Sequence, residues 1–157
     1  MTELSLSSVV QAQIEIDKYI RANGLPDLVG SLGEQLAQIV IGGKLMPPAF
    51  KGFDIQHERY GRVQVKTRKL NYAANGSLGT ETRAVLSTYS PGDFDHLVHI
   101  VLDGEYRVRR AILVRAEEVF LSIRGNSGKI NINQTASLGG AIDMTEEFRK
   151  ALDEFLS

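Results

Sequence analysis

Apolar positions recur along the first third of the chain at helical spacing, which predicts two helices before any strand. The first covers residues 7–22, where Val9, Ile16 and Ile20 form a stripe and Asn23-Gly24 supplies the stop. The second opens at Pro26-Asp27 and runs to Gly42-Gly43. We expect the first helix to cover a sheet, with a contribution to a dimer as the alternative.

Alternation of apolar and polar residues then replaces the helical spacing and predicts a hairpin. In the stretch GFDIQHERYGRVQVKTRK, residues 52–69, the strands Phe53–His57 and Arg62–Arg68 flank a tight turn. Further along, the nearly continuous apolar run His96–Leu102 is typical of a central strand covered on both faces. The other predicted elements are strands at 84–89, 106–114 and 129–132, a loop-like stretch at 125–140, and helices at 115–123 and 146–156.

The hairpin places chemically useful side chains close together. Side chains alternate across a strand, so Gln64 and Lys66 share one face while Val63 and Val65 share the other, which we expect to be the core face. Asp54 on the first strand can come up beside them. A carboxylate, an amide oxygen and a lysine suit a hard divalent cation next to a phosphate. Asp54 also fits a turn-capping role, although Asp is disfavoured inside a strand.

This spacing, Asp54 followed after nine residues by Gln64-Val65-Lys66, resembles the signature of the PD-(D/E)xK nuclease superfamily. The resemblance implies an α/β (α+β) restriction-endonuclease-like fold, with a mixed central sheet flanked by helices. It implies a magnesium-dependent nuclease, with manganese as a possible substitute, acting on DNA. Lys66, Asp54 and Gln64 would be catalytic, and Asp54, Gln64 and the backbone carbonyl of Val65 would hold the metal. A cutter of duplex DNA with one site per chain is expected to be a homodimer.

The sequence departs from this pattern at Gln64, where the family has Asp or Glu, and the change removes one charge from the metal site. The second hypothesis is therefore a non-catalytic module that binds nucleic acid or protein and retains the nuclease fold. A third is a small component of a defence or mobile-element system.

Glu34, in the second predicted helix, is a further candidate metal ligand. It lies almost opposite the main apolar face, on a line with Gly30, Ala37 and Ile41, which suggests that it points into a crevice. In the family that the hairpin resembles, a glutamate on the preceding helix often completes the site. The alternative is a solvated surface glutamate.

The polar stretch Leu70–Arg83 is predicted to be a loop that leaves directly from the Lys66 strand. Arg68, Lys69 and Arg83 could pair with phosphates, and Tyr72 could stack on a base. The alternative is a surface loop with no partner. His96 and His99 are three residues apart in a strand and face opposite sides, which argues against a histidine-based metal centre.

The 157 residues predict a single domain, 1–157, to which the helices 7–22 and 146–156 are flanking additions. The net charge of −1 confines any nucleic-acid surface to a local patch. With no cysteine, no signal-peptide pattern and no long apolar run, we expect a cytoplasmic protein with no membrane partner. Phosphate-loop, dinucleotide-fingerprint and nucleophile-elbow motifs are absent from the sequence.

Overall fold

The computed structural model describes residues 4–25, 27–48, 50–80, 82–125 and 127–157. The helices are α1 (Leu6–Ala22), α2 (Leu28–Ile41), α3 (Ala116–Ile123), α4 (Ile132–Ala136) and α5 (Thr145–Leu156). The strands are β1 (Lys44–Leu45), β2 (Ile55–His57), β3 (Gly61–Lys69), β4 (Arg83–Val85), β5 (His96–Leu102), β6 (Val108–Arg115), β7 (Lys129–Asn131) and β8 (Ile142–Asp143). Each predicted helix and strand has a counterpart among these.

A six-stranded mixed sheet forms the centre of the molecule. Its strand order is β1-β2-β3-β5-β6-β8, with β3 and β5 parallel and every other neighbouring pair antiparallel. Strands β4 and β7 form a separate antiparallel pair. Helices flank the central sheet, so the mixed α/β class expected from the sequence is confirmed at this level.

One face of the sheet packs against α2 and α5. Leu36 and Ala37 of α2 and Phe148 and Leu152 of α5 are buried there with the inward residues of four strands. The two layers come closest at Gly33, where an added Cβ would lie 1.7 Å from Thr67 Oγ1. Only glycine leaves room for this approach of α2 to β3.

The opposite face is covered by α3 and by the small sheet. Phe94, Leu97, Val119, Phe120 and Ile130 belong to this second buried cluster. Strand β5 lies between the two clusters and is buried along nearly its whole length, which confirms that it is a central strand covered on both faces.

The sequence assigned the core face of β3 to Val63 and Val65, and the structure shows that the opposite face is covered as well. Val63 and Val65 are buried on the α2 side, and Gln64, which projects from the other side, is only 5% exposed. Two covered faces follow from the position of β3 inside the sheet, because layers pack on both sides of it. Gln64 is therefore part of the interior.

Several predicted boundaries change in the structure. Strand β4 ends at Val85, because Leu86–Tyr89 forms a turn, and the predicted strand 129–132 ends at Asn131. There, the Asn131 side chain and Gln134 form a reciprocal cap that starts α4, so the predicted loop 125–140 contains a helix. Strand β6 begins at Val108 rather than at residue 106, since residues 103–107 form a turn.

Helix α1 does not cover the sheet. None of its residues is buried, and its apolar side chains Val9, Val10, Ile14 and Ile16 are each more than 40% exposed. Its spacing predicted the helix correctly but could not show which partner its apolar face meets.

Among the helices of the described ranges, none is both long enough and apolar enough to cross a membrane.

Candidate functional site

Asp54 is fixed at the end of the hairpin by both its backbone and its side chain. It lies immediately before β2 rather than inside it, but its N–H donates to the Val63 carbonyl at 2.9 Å and continues the ladder. Its Oδ2 accepts hydrogen bonds from the Val65 backbone N–H and from Gln64 Nε2, each at 2.7 Å. The hairpin thus brings Asp54 and Gln64 together as the sequence predicted.

Gln64 meets Asp54 through its amide nitrogen. Nε2 also lies 3.3 Å from the Val65 carbonyl oxygen, so one NH₂ group connects the carboxylate to the backbone of β3. In this arrangement Gln64 orients Asp54. For Oε1 to share a cation with the carboxylate, the amide would have to turn over by about 180°, because its oxygen and nitrogen lie on opposite sides of the group.

Glu34 is half-buried on α2, and its charge interacts with those of Asp54 and Lys66. The pKa of Glu34 is raised to about 7, chiefly by burial and then by the negative charges of Asp54 and Asp27, while the charge of Lys66 opposes the rise. Burial also raises the pKa of Asp54, against the hydrogen bond from Val65 and the charge of Lys66. Glu34 is therefore not a fully solvated surface glutamate.

A cleft of about 190 Å³ opens between α2 and the connector to the hairpin. Glu34 and Asp54 lie on its wall, together with Leu25, Ser31, Gln35, Leu45, Met46, Pro47, Pro48 and Phe50. Both carboxylates thus border the same partly enclosed space.

Lys66 projects from the same face of β3 as Gln64, and its ammonium group contacts an aromatic ring. Its Nζ lies 4.8 Å from the centre of the Tyr89 ring, a cation–π distance. Tyr89 packs edge-on against the buried Phe94, with ring centres 5.5 Å apart. Sequence reasoning missed Tyr89, because the turn that presents its ring to Lys66 is set by tertiary packing.

The atoms of this site that could bind a metal ion are oxygen atoms, and only two of the groups that carry them are acidic. Within the described ranges, no three His, Cys, Asp or Glu side chains come together at metal-binding distances. Three of the four predicted metal ligands present an oxygen atom: the carboxylates of Asp54 and Glu34 and the backbone carbonyl of Val65. Mg²⁺ is usually held by one or two carboxylates and retains several waters, so this donor set fits it.

The four residues predicted to bind nucleic acid divide between two places. Arg68 lies on the Lys66 face, and its Nε donates to the Arg83 carbonyl oxygen at 3.3 Å. Lys69 projects from the other face, with Nζ 5.3 Å from the centre of the Tyr106 ring. Tyr72 packs against Gly104, and its hydroxyl lies 3.3 Å from Glu105 Oε1. Only Arg68 and Arg83 lie next to one another and on the Lys66 side.

His99 is a buried polar group beside Lys66 on the neighbouring strand. Its Nδ1 lies 2.8 Å from Thr135 Oγ1, whose hydroxyl donates to the Asn131 carbonyl, so Nδ1 carries the proton. Nε2 is buried without a hydrogen-bond partner. The pKa of His99 is lowered to about 4, chiefly by burial and then by the positive charge of Arg68. His96 instead meets the Tyr60 carbonyl, and the two histidines face apart.

No protein-family model matches this sequence, and no curated protein sequence matches it. The resemblance to the nuclease superfamily thus depends on the hairpin residues Asp54, Gln64, Val65 and Lys66 and on Glu34 of the preceding helix.

Proposed function

We propose that this chain is a magnesium-dependent nuclease of restriction-endonuclease-like fold that hydrolyses phosphodiester bonds in DNA. One observation carries the proposal. The Asp54 carboxylate is held at 2.7 Å by both the Val65 N–H and Gln64 Nε2, while the charge of Lys66 acts on it and its own charge acts on Glu34. A fixed carboxylate, a second acid and a lysine are the parts that metal-assisted phosphodiester hydrolysis requires.

Asp54, Glu34 and the Val65 carbonyl would hold Mg²⁺. The mutual repulsion of the two carboxylates supports this assignment, since it contributes to the raised pKa of Glu34 and a cation would relieve it. Gln64 would contribute by orienting Asp54, and through Oε1 after its amide turns over. When bound, Mg²⁺ would polarise the phosphate and lower the pKa of an attacking water.

Lys66 would act on the phosphate itself. Its ammonium can donate hydrogen bonds to a non-bridging oxygen, where negative charge builds up as the water oxygen bonds to phosphorus and the bond to the leaving oxygen breaks. The attacking water releases a proton to solvent, and the leaving oxygen takes one from solvent. The Tyr89 ring restricts the ammonium to one side of β3 and so limits the orientations that it must lose on binding.

Arg68 and Arg83 would contact the DNA backbone on the Lys66 side, where they extend the positive charge beyond the site. Lys69 and Tyr72 would meet a more distant part of the same strand. On duplex DNA, two copies of the chain would cut one strand each.

Cleavage of supercoiled plasmid and of single-stranded DNA, with Mg²⁺ or Mn²⁺, tests the proposal. The wild type is compared with Asp54→Ala and Lys66→Ala, and each variant has a control that removes the same charge from the exposed face of α5, Asp153→Ala and Lys150→Ala. We expect cleavage to disappear in both site variants and to persist in both controls. Cleavage that survives both site variants would refute the assignment.

The second candidate is a nuclease-like module that binds nucleic acid or protein without cutting. It is favoured by the orientation of Gln64, which presents a nitrogen rather than an oxygen to Asp54. Calorimetric titration with MgCl₂ separates the two, because the nuclease requires Mg²⁺ binding that Asp54→Ala abolishes. DNA binding without metal binding or cleavage would establish the module instead.

A further inference from the structure

Helix α1 is long, apolar and unburied, a combination that water alone does not stabilise. It has 17 residues, none of them buried, and Ser5 caps its first turn by accepting from the Ser8 N–H at 3.2 Å. Five of its residues are β-branched Val or Ile, which are weaker helix formers than straight-chain residues. An isolated helix of this length is marginal in water, so its order calls for a packing partner.

The spacing of the apolar residues indicates what kind of partner fits. Leu6, Val9, Gln13, Ile16 and Ile20 follow one another at intervals of three, four, three and four, and we name this set the α1 stripe. Leu6 is 80% exposed, Val9 48% and Ile16 42%. Intervals of three and four are common to amphipathic helices. In a coiled coil they form the seam, in which a second helix with the same repeat packs side chain between side chains.

The polar residues favour a second copy of the chain over a lipid surface. The charged residues of α1 are Glu15, Asp17, Lys18 and Arg21, which sum to zero and give no attraction to anionic lipid. Among the positions that flank the seam, 10, 12, 17 and 19, only Asp17 is charged. In a parallel pair it faces Ala12 or Tyr19 of the second copy, so like charges do not meet across the contact.

Gln13 stands at the centre of the α1 stripe. Its amide has both a donor and an acceptor, so it can hydrogen-bond to the same amide of an identical helix. A polar residue at one seam position is a known device for fixing register and partner number.

The contact continues beyond the helix. Tyr19 also lines an apolar groove between α1, α2 and α5, in which Leu28, Phe155 and Leu156 are 41%, 49% and 68% exposed. A stable dimer takes about 800 Å² of surface from each partner. A helix of 17 residues is only about 25 Å long, so the groove is needed to supply the rest.

We propose that the α1 stripe and the adjoining groove form a two-fold interface with a second copy of this chain. The inference is independent of the nuclease proposal, because it depends on the exposed face of α1 and on the apolar lining of the groove, and on none of Asp54, Gln64 or Lys66.

Sedimentation equilibrium over a range of protein concentrations tests the interface. We expect a wild-type dimer and, for Val9→Lys with Ile16→Lys, a dissociation constant raised at least about 30-fold. The control, Ser7→Lys with Gln11→Lys, adds the same charge to the opposite side of α1 and should leave the dimer intact. A wild-type monomer at every concentration, or a dimer that the stripe variant does not weaken, would overturn the proposal.

A single engineered thiol gives a second measurement that does not depend on how a charged variant folds. The chain has no cysteine, so Gln13→Cys introduces the sole thiol, at the seam, and Gln11→Cys places one on the outer side. Mild oxidation should cross-link the first into a covalent dimer and leave the second largely monomeric. Equal cross-linking of both, or binding of monomeric wild type to phosphatidylserine vesicles, would contradict a helix pair.

Discussion

The two faces of β3 are both covered, but they bury different chemistry. On the α2 side, Val63 and Val65 join a continuous apolar cluster and Thr67 meets Gly33 at the closest approach of the two layers. On the other side, Gln64 is buried against Asp54, and Lys66 is half-buried beside Tyr89. We name these the packed face and the polar face of β3.

The two faces of β3 tolerate different substitutions. The packed face is constrained by volume, because close-packed interiors leave no space for additional atoms. The polar face is constrained by partners, because a buried polar atom is costly unless it is hydrogen-bonded. Substitutions on the packed face should therefore impair the protein through steric overlap, and those on the polar face through the loss of polar partners. The two effects can be measured separately.

The largest effect is expected on the polar face, at Lys66 and the ring that holds it. Under the proposed function, Lys66→Ala should lower the cleavage rate by about 10³-fold, because charge on the phosphate loses its stabilising donor. Tyr89→Leu should lower it by about tenfold and Tyr89→Phe should leave it nearly unchanged, since the ring face remains. Single-turnover cleavage measures all three. Equal loss in the Leu and Phe variants would mean that the Tyr89 hydroxyl matters instead.

On the packed face the largest effect is expected at Gly33. Alanine in a helix interior is normally more stable than glycine by about 0.5–1 kcal/mol. Here Gly33→Ala should instead destabilise the protein by about 2–3 kcal/mol, because its Cβ would lie 1.7 Å from Thr67 Oγ1. Urea unfolding gives the free energy. Thr67→Ala should recover part of the loss, and exposed Gln35→Ala should change little; a stable Gly33→Ala protein would disprove the close approach.

Thr135 and Thr67 are buried on opposite faces of the sheet, and we expect their substitution by valine to have smaller and contrasting effects on stability. Thr135→Val should cost about 1–3 kcal/mol, because His99 Nδ1 loses its hydrogen-bond acceptor. Thr67→Val should be neutral or stabilise by up to about 1 kcal/mol, because the Thr67 hydroxyl is buried without a partner. Thermal unfolding of both variants measures the contrast. Equal destabilisation by the two substitutions would contradict it.

The smallest effect is a dependence of stability on pH that arises at Glu34. Its pKa rises from 4.5 to about 7 on folding, so the folded state binds more protons between these values and loses stability as the pH rises through that window. Glu34→Gln stays neutral, so with EDTA present its melting temperature should exceed that of the wild type by about 1–3 °C at pH 8. The advantage should vanish near pH 4; a constant difference would exclude Glu34 as its source.

The order of elements could be predicted because each carries its own local signal. The run of residues 96–102 and the alternation of 62–68 give strands of nearly the predicted bounds. The short strands β1 and β8 each consist of two residues, too few for a period, and exist because a neighbouring strand offers hydrogen bonds. The packing of α1 was mispredicted for a related reason, since helical spacing identifies an apolar face but not what it meets.

The candidate site was predictable where neighbours in the hairpin define it. The Asp54–Gln64 contact follows from the pairing of β2 with β3. The alternation of apolar and polar residues and the tight turn between the strands predict this pairing. The separation of Lys69 from Arg68 follows from strand alternation, because β3 continues one residue beyond the predicted strand. The contact of the Tyr89 ring with Lys66 depends on how a distant turn packs. The direction of the Gln64 amide depends on the hydrogen bonds of Nε2 to Asp54 and to the Val65 carbonyl. Neither of these last two features could be predicted from a periodic pattern in the sequence.

The predicted catalytic and metal-binding side chains all lie on α2 and on the hairpin that follows it: Glu34, Asp54, Gln64 and Lys66. Contacts between residues so near in sequence close with a small loss of chain entropy, and such contacts form early in folding. Strand β3 can pair fully with β5 only after the chain has been synthesised as far as residue 102. During synthesis, the parts of the site can therefore meet before the strand that completes the centre of the sheet has been made.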